Sequence, residues 1–141
     1  NLDQLAGNLA ANSEELARAE QIASKHDNAY ALPRMSLSEL GGIISKADGA
    51  VCCDTGLAHL TAITGTPSVT MYGPTSVELI GTYGSGQQHL DAENPNFPCS
   101  PCYKRSCKFQ GQASAMSACM DSFQPVKVWE MLRNQMKKAA G

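Results

Sequence analysis

The sequence predicts an α/β chain built on a Rossmann-like parallel sheet. Short apolar runs alternate with segments of helical period, in the order helix, strand, helix, strand, helix, strand, helix. Alternation at this spacing marks βαβ units and a parallel sheet. The two clearest runs, Ala50–Cys53 and Ser68–Tyr72, each give way to a glycine-bearing turn that opens a helix. Such turns lie at the carboxyl ends of the strands, where open α/β sheets bind ligands. Three strands are fewer than the roughly six of a doubly wound domain. With Asn1 rather than Met at the start, the chain reads as the distal part of such a domain.

Residues 2–25 place Leu2, Leu5, Leu9, Leu16, Ala19 and Ala23 on one helical stripe, with Glu14, Glu15 and Glu20 between them. The helix is expected to break near Ala11-Asn12-Ser13, where Ser13 caps a second segment. Ala29–Leu32 is a short strand candidate closed by Pro33. Ser36 then stands three residues before Glu39, the spacing of a capping box. Leu37, Leu40, Ile43 and Ile44 continue a helical face towards Ala47, weakened by Gly41-Gly42. Ala50-Val51-Cys52-Cys53 has the unbroken apolar character of a strand buried on both faces. Leu57, Leu60, Thr61 and Thr64 have helical spacing and stop at Gly65. Pro67 introduces Ser68–Tyr72, and Gly73-Pro74-Thr75 turns into another helix start, with Thr75 as its cap. Residues 84–124 are rich in Gly, Pro, Asn and Ser and read as loop. Pro125 then begins a closing helix over residues 125–139, with Val126, Val128, Trp129, Leu132 and Met136.

Composition removes several functional classes. At 141 residues the chain supports one sizeable core. With 43% hydrophobic and 17% charged residues it is no disordered tail. Eleven basic against thirteen acidic residues give a net charge of −2, which lacks the basic footprint of a nucleic-acid binder. No apolar run reaches the ~18 residues of a membrane span. The expected compartment is the reducing cytoplasm, because the cysteines are not spread as in a secreted disulfide scaffold.

The chemistry concentrates at Cys53-Asp54-Thr55-Gly56-Leu57-Ala58-His59. A helix that begins just after a strand presents unpaired N–H groups and partial positive charge, which suit a phosphate. Gly56 lets the main chain approach it closely. His59, one turn in, adds a donor, and Asp54 accepts from sugar hydroxyls. A plainer reading stays open, in which Asp54 or Thr55 is only an N-cap. Asp-Thr-Gly is also the aspartic-protease signature, but the helical period from Leu57 onward argues against it. Gly73 and Thr75, one strand along, repeat the strand–glycine–hydroxyl arrangement and extend the cradle. Cys99, Cys102, Cys107 and Cys119 are spaced C-x2-C-x4-C-x11-C within a loop at 99–119. They suit a structural zinc, two disulfides or four free thiols.

The segment Ala47-Asp48-Gly49-Ala50-Val51-Cys52-Cys53-Asp54-Thr55-Gly56-Leu57-Ala58-His59-Leu60-Thr61-Ala62 resembles glycosyltransferase family 9, the bacterial lipopolysaccharide heptosyltransferases. Gly65-Thr66-Pro67, then Met71-Tyr72-Gly73-Pro74-Thr75, Leu79-Ile80-Gly81 and Tyr83-Gly84 continue the likeness, as does Leu32-Pro33-Arg34-Met35-Ser36-Leu37 upstream. The resemblance implies that residues 1–141 belong to the C-terminal nucleotide-sugar-binding domain of a GT-B enzyme. It implies transfer of heptose from ADP-L-glycero-D-manno-heptose to the Kdo of the lipopolysaccharide core (Kdo–lipid A), with inversion. By position, Asp54 meets the heptose, while Thr55, Gly56, Leu57 and His59 hold the diphosphate. The family's catalytic base is an Asp of an N-terminal domain, so no catalytic residue is assigned within this chain. No cofactor is required for catalysis, and a structural zinc at the cysteines stays one of the open readings. The chain alone is expected to bind donor weakly and not to turn over. Peripheral association with the cytoplasmic face of the inner membrane is expected from a lipid-linked acceptor. Other GT-B sugar transferases, and a non-catalytic zinc-stabilised module, are the competing readings.

Overall fold

A computed structural model describes residues 13–92, 97–113 and 117–141. The chain divides into two compact units, residues 1–43 and 44–141.

The first unit contains helices α1, Ser13–Ala23, and α2, Leu37–Ile44. The expected stripe from Leu2 to Leu9 lies outside the described residues. The capping box forms as its spacing predicts. The Ser36 hydroxyl accepts from the Glu39 N–H at 3.3 Å, and the Glu39 carboxylate accepts from the Ser36 N–H at 2.8 Å and its hydroxyl at 2.7 Å. Those bonds hold the Glu39 carboxyl below its ordinary pKa. The strand expected at Ala29–Leu32 does not form. Tyr30 is exposed there and Pro33 closes the segment, so it has neither a ladder nor a core to join.

The second unit holds strands β1, Ala50–Cys53, β2, Ser68–Tyr72, and β3, Gln87–Asp91, in spatial order β1-β2-β3. Both pairings are parallel, with Cys52 opposite Thr70 and Thr70 opposite His89. Helix α3, Gly56–Ile63, connects β1 to β2, and the single turn α4, Val77–Ile80, lies between β2 and β3. A 3₁₀ turn at Ala118–Ser122 precedes α5, Pro125–Ala140. The third strand is therefore β3, inside the segment expected to be loop.

Side chains alternate across the sheet. On one face Val69 packs against Val128 and Leu132 of α5, with Met71, Leu90, Met131 and Met136 around them. The other face is polar, with Ser68, Thr70 and Gln87 buried. Ser68, Gln87 and His89 find partners there, whereas the Thr70 hydroxyl is buried without one. The Ser68 hydroxyl donates to Gln87 Oε1, Gln87 Nε2 donates to the Thr66 carbonyl at 3.0 Å, and Thr82 Oγ1 meets His89 Nε2 at 2.9 Å. Thr61 of α3 covers this face through Cys52, 3.7 Å from its hydroxyl. Only β2 is buried on both faces, because β1 is an edge strand of the described sheet. Val51 is half exposed and Cys53 exposed, which corrects the expectation of a buried strand and of core cysteines there.

Candidate functional site

Parallel pairing carries β1 one residue past its end, since the Asp54 N–H donates to the Met71 carbonyl at 3.2 Å. The chain then enters α3 through Thr55, whose extended backbone (φ −146°, ψ 171°) places it at the N-cap. Thr55 is thus the N-cap by backbone position, as the plain reading has it, but its hydroxyl makes no capping bond. Thr55, Gly56 and His59 are exposed, and Leu57 is partly so. The first N–H groups of a helix have no intrahelical acceptor, and here no side chain takes them at the cap. The arrangement is an open helix N-terminus beside a carboxylate, with an imidazole in the first turn. A helix also rules out the protease reading, which needs β structure after Asp54-Thr55-Gly56.

The end of β2 lies beside it. Tyr72 is fully buried, its hydroxyl accepting from the Thr82 N–H at 3.2 Å while its ring meets His89 edge-on. Burial pushes the Tyr72 phenol up, and the Asp54 and Asp91 carboxylates add to the rise. Gly73 is buried rather than open to solvent. A Cβ there would fall 2.6 Å from Met120 Sδ and 3.0 Å from Cys119 Sγ, and its carbonyl accepts from the Ser100 hydroxyl. A side chain larger than glycine would crowd the 3₁₀ turn here.

Thr75 is not the cap of α4. Ser76 is, accepting from the Glu78 N–H at 3.2 Å. Thr75 Oγ1 is instead buried without a hydrogen-bond partner. It lines a cavity of about 340 Å³ with Ser76, Glu78, Asp91 and Ser100, among others. A buried orphan hydroxyl costs on the order of 1–3 kcal/mol, so a partner arriving with a ligand has something to satisfy. Asp91, Ser76 and Ser100 were not singled out by sequence. Asp91 ends a strand with no apolar signature, and Ser100 reaches the site only through the return of the chain from residue 97.

All six cysteines are free thiols, and among the described residues no three His, Cys, Asp or Glu side chains are already arranged to hold a metal. Cys99, Cys102, Cys107 and Cys119 nevertheless line a single void of about 20 Å³. Hydrogen bonds from the Ala118 and Phe109 N–H groups lower the Cys107 pKa, whereas burial raises that of Cys119. No described helix is long and apolar enough to cross a membrane.

Residues 5–113 match the profile of glycosyltransferase family 9 (heptosyltransferase). Lipopolysaccharide heptosyltransferase 1 of Pseudomonas aeruginosa is 40% identical over 96 residues, covering 68% of this chain and 26% of that protein. Its namesake from Salmonella typhimurium is 48% identical over 73 residues, 52% of this chain and 23% of that protein. The solved structure of E. coli heptosyltransferase WaaC with ADP superposes with a TM-score of 0.51 at 37% identity, over 57% of this chain and 25% of the other. WaaC with ADP-2-deoxy-2-fluoro heptose gives 0.51 at 32% identity, over 63% and 30%. The chain thus spans about a quarter of the length of the curated relatives it matches.

Proposed function

Because the chain belongs to glycosyltransferase family 9, we propose that it supplies the donor-binding half of a heptosyltransferase of the first type. The donor is ADP-L-glycero-D-manno-heptose, and the acceptor is the Kdo of the lipopolysaccharide inner core. The uncapped, exposed N-terminus of α3 beside Asp54 carries this reading. The N–H groups of Gly56 and Leu57 and the His59 ring take the diphosphate oxygens, and Asp54 takes sugar hydroxyls. Negative charge grows on the diphosphate as the sugar leaves. Preorganised amides and the positive helix end stabilise that charge without reorganising. Asp91, Ser76 and Ser100 line a cavity at the end of β2 and offer further polar contacts to the nucleotide part. Gly73 acts by holding the loop against Cys119 and Met120. A base for the acceptor hydroxyl comes from outside these residues. The protein works at the cytoplasmic face of the inner membrane, where a lipid-linked acceptor is met.

Titration calorimetry with ADP tests the reading. His59→Ala and Asp54→Asn alter exposed or half-exposed side chains and should leave the fold intact. Loss of a hydrogen bond to a charged group, about 1.5–3 kcal/mol, predicts roughly 10- to 100-fold weaker ADP binding for His59→Ala. Asp54→Asn should weaken ADP-heptose more than ADP. Unchanged ADP affinity in His59→Ala would overturn the placement of the diphosphate.

A further inference from the structure

We propose that Cys99, Cys102, Cys107 and Cys119 form a structural zinc site that staples the β2–α4 loop to the rest of the second unit. The four lie between residues 99 and 119, and all line the same small void beside Pro74, Phe97, Lys104 and Phe109. The void, about 20 Å³, has room for about one water-sized guest. An all-thiolate donor set is soft and favours zinc over oxygen-seeking cations.

The backbone around the cysteines is already held. The N–H groups of Cys102 and Tyr103 both donate to the Pro74 carbonyl, at 2.9 and 2.7 Å. Tyr103 stands in the left-handed region, φ 54°, which turns the chain sharply after the Cys99–Cys102 pair. Four thiolates around a dication leave excess negative charge, and Lys104 lines the same void to offset it. Cys99 and Cys107 are exposed and give the ion an entry path, while Cys119 is buried. On ligation each thiol releases its proton to solvent.

The site bears on function through the loop it grips. Ser100, Cys102 and Tyr103 bond to the Gly73 and Pro74 carbonyls, and Gly73 lies against Cys119 and Met120. Metal binding itself does not depend on the nucleotide reading.

The test is the metal content of the full chain purified under reducing conditions, measured by mass spectrometry after gel filtration. About one zinc per chain is expected. Cobalt titration of the same unsubstituted chain should reach its endpoint near one equivalent, with the intense visible bands of tetrahedral thiolate ligation. Cys102→Ala and Cys119→Ala should lower zinc content to below about a tenth, while Cys53→Ser leaves it unchanged. The cobalt titration needs no variant to fold, so it decides the matter alone. A weak octahedral cobalt spectrum, or equal loss of zinc in Cys53→Ser, would overturn the site. Recovery of the four residues as two disulfides in metal-free chain would do so as well.

Discussion

Gly73→Ala tests how tightly the end of β2 is packed against the cysteine region. The added Cβ would lie 2.6 Å from Met120 Sδ, 3.4 Å from Met120 Cγ and 3.0 Å from Cys119 Sγ. Favourable contact between such atoms begins near ~3.5–4.0 Å, so the closest pair is about 1 Å too near. Met120 is half-buried and its long side chain can move. Cys119 is 7% exposed and packs with Ala92, Phe97 and Ala118, so it yields less readily. Overpacking of this kind costs about 1–3 kcal/mol. At about 4 °C per kcal/mol for a chain of this length, the melting temperature should fall by roughly 4–12 °C. Trp129 on α5 lies in the same unit and gives a fluorescence signal for its unfolding in urea. Met120→Ala removes two of the three close contacts. In that background the Gly73→Ala cost should drop below about 1 kcal/mol, a coupling expected of neighbours. Equal costs in the two backgrounds would refute the packing argument, as would a cost under about 0.5 kcal/mol in the unsubstituted chain.

Three further outcomes are expected. Gly65 has φ +76° in open space, so Gly65→Ala should cost about 1–2 kcal/mol through backbone strain alone, and Gly65→Asn less, measured by urea midpoints. Gln87→Leu strands the Ser68 hydroxyl and the Thr66 carbonyl; it should destabilise by about 2–4 kcal/mol, and near-neutrality in the same assay would contradict the buried network. The folded pKa of Glu39 is depressed, so the contribution of its cap is present above the ordinary glutamate value of about 4.3 and fades as pH falls through the folded value. Circular dichroism should show helix content falling in that acid window, and Glu39→Gln should flatten this part of the profile.

Local signals were sufficient wherever the responsible atoms are neighbours in sequence. Ser36 and Glu39 are three residues apart and their bonds form as spaced. Gly56–Ile63 and Pro125–Ala140 follow their apolar periods and their start residues. The segment Cys53–His59 combines strand end, glycine and helix start in seven residues, so the candidate phosphate site was legible. Thr75 failed as a cap because Ser76, one residue on, has the geometry to accept from Glu78.

What the sequence by itself determined was the alternating α/β order, the Asp54–His59 turn and the family signature, since each depends on contacts within a few residues. The tertiary structure alone decided that Gln87–Asp91 is a strand. Its Gln87 and His89 side chains look like loop until Ser68, Thr66 and Thr82 supply their partners from distant positions. It alone decided that Ala29–Leu32 stays unpaired, that Gly73 packs against Cys119 and Met120, and that four cysteines of the 99–119 loop face one void. Hydrogen-bond satisfaction and close packing across long stretches of chain have no local signature, because the atoms that complete them are adjacent only after folding.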